Sequence, residues 1–253
     1  MSDFLKGPIL NLQNFVVLSG RAITNVFRSP HYGDDILIQM DLIGVGSVPL
    51  ILLTGFFTGA VLALQMSRTL RQYGLSNQVG QAVAITLVRE LGPVLTAILV
   101  AGRNASGMAS ELGSMKVTEQ IDAMRALGTD PTQKLVTPRL IATAVMLPLL
   151  VIISDFMGLV GGWVVATLLL GLTTGPQFWT NAYQSLEYPD VIEGLIKPFA
   201  FAVVLALVGC HYGMSTTGGT QGVGRATTQA MVVSSISIIV LTYFIGSFFI
   251  NLR

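Results

Sequence analysis

Five long apolar stretches dominate the pattern of hydrophobic and polar positions along the chain. They cover residues 43–66, 81–102, 140–172, 192–214 and 228–250. A helix needs about 20 apolar residues to cross the hydrocarbon core of a bilayer, so each stretch can supply one membrane span. The third stretch is long for one span but too short for two, and we interpret it as a single tilted helix. The pattern therefore predicts an all-α integral membrane protein with five transmembrane helices.

A weaker helical pattern precedes the first span. Apolar side chains recur there near helical spacing, at Leu5, Ile9, Leu12, Phe15, Val16, Ile23 and Phe27. This spacing predicts an amphipathic helix that lies in the membrane interface and ends at residues 29–33. A helix packed on the protein itself is the alternative. We accordingly divide the chain into an interfacial lead-in, residues 1–42, and a transmembrane domain, residues 43–253, which includes a polar segment at 104–137.

Composition supports a membrane protein and excludes several other classes. Charged residues make up 11% of the chain, against about 25% in soluble domains. The hydrophobic share is 52% and the mean hydropathy is +0.70, so a soluble globule could not cover itself with polar side chains. A net charge of +1 argues against nucleic-acid binding. Cys210 is the only cysteine, which excludes an internal disulfide and a cysteine-built metal site.

The distribution of basic residues predicts the orientation. Cytoplasmic segments of membrane proteins carry an excess of lysine and arginine. With a cytoplasmic N-terminus, nine of the 14 basic residues lie inside or at the inner boundary: Lys6, Arg21, Arg28, Arg103, Lys116, Arg125, Lys134, Arg139 and Arg225. The other five are Arg68, Arg71, Arg89, Lys197 and Arg253. We therefore expect the N-terminus in the cytoplasm and the C-terminus in the periplasm.

Two ionisable residues interrupt the second apolar stretch. Arg89 and Glu90 are adjacent, and neighbouring helical residues point about 100° apart, so they do not simply pair with each other. Ionisable groups at membrane depth are costly and mark functional sites by default. Pro93 clashes with the carbonyl of Arg89, which predicts a kink. A polar cavity wall is one interpretation, and a structural salt bridge between helices is the other.

The polar segment at 104–137 contains a second helical pattern. Val117, Ile121, Met124 and Leu127 form an apolar stripe, and Thr118 is a candidate N-cap. A short amphipathic helix on the cytoplasmic side suits a groove in a partner protein. A solvated loop that only joins two spans is the alternative. Another polar stretch lies at residues 173–190.

Catalytic motifs are weak in this sequence. Residues 219–224 have the glycine spacing of a phosphate-binding loop, but Arg225 and Ala226 replace the lysine and the Ser/Thr of that motif. A glycine-rich turn between the last two spans is the better interpretation. No serine or cysteine nucleophile set is recognisable, so we do not expect an enzyme.

Several motifs of the chain, taken together, resemble the MlaE family. The motifs are RELGP at 89–93, AGR at 101–103, ELGSM at 111–115, TEQIDAM at 118–124, PR at 138–139 and GRATT at 224–228. The likeness covers most of the chain, and its middle block is the most specific part. Members of this family are permease subunits of ATP-binding-cassette (ABC) lipid transporters in double-membrane bacteria and plastids.

The resemblance implies a multi-pass protein of the bacterial inner membrane that moves phospholipid between the inner and outer membranes and maintains outer-membrane lipid asymmetry. It implies a homodimer with a cytoplasmic MlaF-like ATPase, an MlaB-like STAS protein and a periplasmic MlaD-like MCE protein. ATP and magnesium would be bound by the ATPase, and this chain would hold no cofactor or metal.

The resemblance also implies particular site residues. The positions matching the lipid pocket of relatives are Leu62, Leu70, Tyr73, Arg89 and Glu90. The helix around residues 119–127 would be the coupling helix that docks into the ATPase, with Glu111, Glu119, Asp122 and Arg125 as the coupling residues. Thr242 stands where relatives often carry an aspartate, so no role resting on that charge is expected here.

Two other functions remain open from the sequence. A proton-driven secondary transporter would use Glu90 and Asp155, the latter being the one charge in the third stretch, as a proton relay. A scaffold would merely anchor the ATPase and the MCE protein. Because the chain has no recognisable energy source and no internal repeat, we favour the ABC permease over both.

Overall fold

The computed structural model describes residues 2–30 and 32–252, with the side chains of this range except those of residues 2–8, 250 and 252. All regular structure in the described part is helical, without a strand. The α-helices are α1 Ser2–Val26, α2 Gly33–Ile43, α3 Val48–Gln72, α4 Val79–Thr86, α5 Gly92–Val100, α6 Ser106–Val117, α7 Gln120–Ala126, α8 Thr137–Trp163, α9 Gly175–Ser185, α10 Tyr188–Met214 and α11 Gly219–Leu252. Short 3-10 and π-helical turns join several of them.

In the part of the chain that the structure describes, five helical stretches are long and apolar enough to cross a membrane, which confirms the predicted number. They are Gly33–Gln72, Ser76–Val117, Thr132–Leu169, Tyr188–Met214 and Gly219–Phe249. Each begins before the apolar stretch of the sequence, and the first two also extend well beyond its end. Hydropathy marks only the apolar part of a helix, whereas the backbone continues into polar residues on either side. The third stretch is a single helical run, as expected.

Two of the wide π turns have a cause in the sequence. The turns Leu87–Leu91 and Thr132–Val136 each end two residues before a proline, Pro93 and Pro138 respectively. Proline has no N–H and clashes with the carbonyl four residues earlier. A π turn bonds to the carbonyl five residues earlier, so it relieves that clash inside a continuous helix. The kink expected at Pro93 therefore takes the form of a π turn.

The helices group into two compact units, which are described separately. Unit 1 comprises the described residues of Met1–Val45, Val100–Met146 and Phe201–Ile238. Unit 2 comprises those of Gly46–Leu99, Leu147–Ala200 and Ile239–Arg253. The division of the chain at residue 42, expected from the sequence, stays a prediction.

In unit 2, glycines allow α3 and α8 to pack backbone to backbone. A Cβ at Gly59 would lie 1.7 Å from the carbonyl oxygen of Gly158, and one at Gly55 would lie 2.7 Å from that of Ser154. Gly161 approaches the carbonyl of Phe56 in the same way. Small residues spaced four apart are the usual means by which helices approach closely in membranes.

In unit 1, glycines likewise allow α10 to approach α6 closely. Cβ atoms at Gly209 and Gly213 would lie 3.0 Å from the carbonyl oxygen of Ala105 and 2.7 Å from Cβ of Leu112. The core around this contact includes Met108, Leu112, Ile121, Ala206 and Cys210. Two ion pairs also lie in unit 1: Arg139 and Glu111 are 2.7 Å apart, and Lys134 pairs with Asp35.

Two local features differ from the sequence interpretation. Helix α1 ends at Val26, before the expected 29–33, and His31 of that segment lies outside the described residues. The polar stretch at 173–190 contains α9, whose Phe178 is buried against α4. Only Phe178 and Ala182 of α9 are buried, so the sequence of this helix is mostly polar.

The expected N-cap of the coupling segment is wrong. The Thr118 hydroxyl donates to the carbonyl of Ser114 at 2.9 Å and so closes α6 instead of starting α7. Glu119 has a φ of 58° and turns the chain before α7 begins at Gln120. A threonine hydroxyl can bond backwards to the preceding turn, and this competes with capping.

Candidate functional site

A cluster of five ionisable side chains lies in unit 2 between the Leu87–Leu91 turn and α10. Lys197 Nζ lies 2.7 Å from Glu90 Oε1 and 2.8 Å from Glu193 Oε1. Arg89 Nε lies 3.5 Å from Asp190 Oδ1 and 3.8 Å from Glu193 Oε2. We call these five residues the charged cluster. Arg89 and Glu90 thus pair with α10 and not with each other, as the sequence predicts.

The sequence builds this cluster through two backbone features. Since Pro93 has no N–H, the carbonyl of Arg89 lacks its usual helical partner, and the Lys197 ammonium donates to it at 2.7 Å. Gly194 lets α10 approach the turn, because a Cβ there would lie 2.6 Å from the carbonyl oxygen of Val88. Asp190, Glu193 and Lys197 follow one face of α10 at spacings of three and four residues.

The burial of the cluster is uneven. The side chain of Lys197 is 0% exposed, and its three N–H donors all have acceptors, namely Glu90, Glu193 and the Arg89 carbonyl. The side chain of Glu90 is 46% exposed, so its carboxylate connects a buried cation with the surface of unit 2. A buried charge persists only when it is paired and hydrogen-bonded, and Lys197 meets both conditions.

Arg89 is the cation best placed to bind a ligand. Its two carboxylate contacts, at 3.5 and 3.8 Å, are longer than the about 2.7–2.9 Å of a charge-assisted hydrogen bond. Its side chain is half-buried, whereas Asp190 and Glu193 are buried. The guanidinium carries five donors in a planar fork that matches phosphate or carboxylate oxygens. An anionic group could therefore bind there without breaking a tight ion pair.

The apolar residues expected to line the lipid pocket occupy different environments. Leu62 is only 6% exposed and belongs to a core cluster of unit 2, against which Leu70 packs. Tyr73 is 73% exposed at the end of α3. The structure thus places Arg89 and Glu90 in the charged cluster, whereas Leu62 and Leu70 lie along α3 and Tyr73 lies at its end. Their role as a lipid-binding wall stays a prediction.

Asp155 is a separate buried acid of unit 2. Its Oδ1 has no hydrogen-bond partner among the described residues and lies against Gly92. No described hydrogen bond connects Asp155 to Glu90. The proton relay considered from the sequence stays a prediction.

The expected coupling residues lie in unit 1 and are only partly brought together. Asp122 accepts from Lys116 Nζ at 2.7 Å and from Arg125 Nη1 at 3.0 Å. The hydrogen bond from Lys116 is the main cause that lowers the pKa of Asp122. Glu119 lies exposed at the turn before α7, whereas Glu111 pairs with Arg139.

The expected apolar stripe of this segment is divided between the core and the surface. Ile121 is buried and Met124 packs beside it in the core of unit 1, whereas Val117 and Leu127 are exposed. The outward surface of α7 is therefore mostly polar, which differs from an apolar plug. The sequence could not reveal which side of the stripe its own chain would cover.

Sequence reasoning assigned no role to Asp190, Glu193 and Lys197. A signal for two of them was present, since Glu193 and Lys197 are ionisable residues at i and i+4 in an apolar span. Such a pair is usually interpreted as local. Only the structure shows that Lys197 also reaches Glu90 and the Arg89 carbonyl.

Comparisons with known proteins find a matching family model and similar permeases. The family model described as Permease MlaE matches residues 36–248. A probable ABC transporter permease protein of Rickettsia typhi is 41% identical over 231 residues, which cover 91% of this chain and 89% of that protein. The chloroplastic protein TRIGALACTOSYLDIACYLGLYCEROL 1 of Arabidopsis thaliana is 33% identical over 233 residues, covering 92% of this chain and 66% of that protein.

A third relative carries the family name itself. The intermembrane phospholipid transport system permease protein MlaE of Haemophilus influenzae is 35% identical over 206 residues, which cover 81% of this chain and 78% of that protein. The family match includes the charged cluster, α7 and all but the ends of the five apolar helices. With the motifs, the span count and these relatives in agreement, the chain belongs to the MlaE family of permeases.

Proposed function

We propose that this protein is the membrane-spanning subunit of an ABC transporter that moves phospholipids between the inner and outer membranes, and so maintains outer-membrane lipid asymmetry. The observation that carries the proposal is the charged cluster: a fully buried Lys197 is bonded to the half-exposed Glu90 inside an apolar helical unit. A phospholipid has one polar end and long apolar tails, so its site needs a few polar groups beside a large apolar surface.

Arg89 and Glu90 supply the polar end in this proposal. The guanidinium of Arg89 donates to the phosphate oxygens, because its own carboxylate contacts are long. Glu90 accepts from donors of the headgroup through its exposed oxygen, while Lys197 fixes the other. Leu70 and Tyr73 provide the apolar wall, and Leu62 supports it from the core beneath. Two copies of the chain form the complete chamber as a homodimer.

The energy comes from a partner in this proposal. A cytoplasmic MlaF-like ATPase binds ATP and magnesium, and α7 is the coupling helix that docks into it. Glu119, Asp122 and Arg125 present exposed charges on this segment, and Glu111 supports it through the ion pair with Arg139. An MlaB-like STAS protein binds the ATPase, and a periplasmic MlaD-like MCE protein receives the lipid. The chain itself carries out no catalysis.

Location follows from the same proposal. The chain lies in the inner membrane with the N-terminus in the cytoplasm and the C-terminus in the periplasm. Helix α1 lies in the inner interface, which fits the apolar side chains that it leaves exposed: Ile9, Leu10, Leu12, Val16, Val17 and Ile23.

The test uses the full complex in vesicles, with ATP-driven extraction of a fluorescent phospholipid as the readout. We expect Glu90→Gln to lower the rate about tenfold, since a hydrogen bond to a charged group contributes roughly that factor. The matched control is Glu187→Gln, which makes the same substitution at an exposed acid outside the charged cluster. Wild-type rates from the Glu90 variant would refute the polar-end assignment. Extraction driven by a pH gradient without ATP would instead favour the proton-driven carrier.

A further inference from the structure

A polar cavity lies in unit 1, among residues that the transport proposal does not use. Its volume is about 240 Å³, and its walls come from α1, the end of α10 and the start of α11. The lining includes Asn11, His211, Tyr212, Thr216, Arg225 and Gln229. One water molecule in the liquid occupies about 30 Å³, so the cavity has space for a much larger polar group. None of its residues belongs to the charged cluster.

The cavity has an uncompensated positive charge. Arg225 lines it, and among the described residues no carboxylate pairs with this guanidinium. Arg225 lies in the second turn of α11, and Gly222 of the first turn also lines the cavity. The partial positive charge at a helix N-terminus adds to that of the arginine. The electrostatics of this cavity therefore favour an anion.

A buried imidazole provides a second, independent indication of a ligand. His211 is 8% exposed and lines the cavity. The ring makes edge contacts with Phe15 and Tyr212, but within the described part of the chain its nitrogens have no hydrogen bond. The nitrogens are not fully enclosed by protein, so a group in the cavity can reach them. A ligand oxygen there would accept from the N–H.

The surroundings indicate which anion is available. Helix α1 contributes Asn11 to the cavity and leaves several large apolar side chains exposed, such as Leu12 and Val16. Apolar side chains on an interfacial helix contact acyl chains, while its polar side chains lie at the depth of the headgroups. The cavity is therefore beside lipid phosphates. A phosphate group presents several strong acceptors to the donors of Arg225, His211 and Gln229.

We propose that this cavity binds the phosphate group of an anionic phospholipid, from the leaflet in which α1 lies, as a resident lipid. The bound lipid ties α1 to the junction of α10 and α11. The inference depends on the membrane setting of α1 but not on the transport role of Glu90. Its failure and the failure of the proposed function can thus be distinguished.

The experiment counts lipids on the purified full chain in detergent by native mass spectrometry. Phosphatidylglycerol and phosphatidylcholine are the probes, and inorganic phosphate is added in a separate arm. We expect the wild type to bind phosphatidylglycerol about tenfold more tightly than phosphatidylcholine, and Arg225→Gln to lose that preference. Arg21→Gln, an exposed arginine outside the cavity, is the matched control and should retain it.

A second variant separates binding from folding. His211→Phe keeps the ring contacts with Phe15 and Tyr212 but removes the donor, so we expect a severalfold weaker preference with an unchanged melting temperature in lipid-free detergent. Stabilisation by inorganic phosphate that Arg225→Gln abolishes would support the site and assign it to a soluble phosphate compound.

Three results would overturn the proposal. One is equal binding of the two lipids by the wild type without stabilisation by phosphate. Another is an equal loss of preference in Arg225→Gln and Arg21→Gln. The third is an Arg225→Gln variant that keeps its lipid preference but no longer copurifies with the ATPase, because the cavity would then be a protein contact.

Discussion

Gly92 lies directly against Asp155, so that a Cβ at residue 92 would be 1.7 Å from the Oδ1 atom of the acid. The contact forms in unit 2, immediately after the Leu87–Leu91 turn that presents Arg89 and Glu90. Only glycine fits at this position while the carboxyl group keeps its place. The geometry of the turn therefore depends on a residue that carries no charge itself.

We expect Gly92→Ala to destabilise the protein by about 1–3 kcal/mol, the usual cost of overpacking a close contact. Thermal unfolding in detergent measures this change. Gly107→Ala is the control, because nothing lies within 4 Å of a Cβ there. The double variant Gly92→Ala with Asp155→Ala should recover part of the loss, since the carboxyl oxygen is then absent. Additive losses from the two substitutions would contradict the contact.

We expect removal of the buried Lys197 ammonium to lower the free energy of unfolding more than removal of an exposed charge does. Lys197→Met leaves Glu193 buried with only the long contact to Arg89, and breaking a buried pair costs about 3–5 kcal/mol. Denaturant unfolding of the purified chain tests this. The double variant Lys197→Met with Glu193→Gln should be more stable than the single one. Wild-type stability of the single variant would show that Lys197 is not fully desolvated.

The sequence predicts the parts of this fold that follow from local chemistry. Five spans follow from hydropathy, and a distortion near Arg89 follows from Pro93. The partners of Arg89 and Glu90 do not, because pairing across helices depends on how closely their backbones approach. Gly194 permits that approach, and one glycine among the 27 of the chain gives no signal of which helix will come near.

Apolar periodicity was also an incomplete guide to exposure. It identified the helix at Ile121, but the same stripe could face a partner or the chain's own core. The structure buries Ile121 in unit 1. Likewise, Leu62 was expected at a lipid-binding surface and is nearly inaccessible in the chain. In both cases the hydrophobic driving force is the same, and only the tertiary packing determines which apolar surface covers the residue.

The ion pairs of the coupling segment predict a pH dependence with a definite sign. The Lys116 hydrogen bond lowers the pKa of Asp122 below its ordinary 3.8; desolvation opposes this shift, and the charges of Lys116 and Arg125 support it. The stabilisation of α7 is therefore present above the ordinary pKa and is lost as pH falls through the lowered folded value.

Carbon-13 NMR titration of the Asp122 carboxyl tests this expectation. The midpoint should lie below 3.8 in the wild type and should rise in Lys116→Gln. Lys134→Gln, which removes a lysine that pairs with Asp35 instead, should leave the midpoint unchanged. A wild-type midpoint above the ordinary value would contradict the hydrogen bond.

Charge reversal in the same segment tests its proposed contact with the ATPase. Asp122→Lys places three cations together at Lys116, residue 122 and Arg125, which should displace the exposed surface of α7. We expect lipid-stimulated ATP hydrolysis by the complex to fall at least about tenfold, since like charges at an interface cost several kcal/mol. Asp34→Lys, an exposed acid on α2, makes the same charge change away from α7 and should leave hydrolysis intact. Because both variants alter the net charge equally, a loss confined to Asp122→Lys would locate the coupling contact at α7, whereas equal activities would place it on another part of the chain.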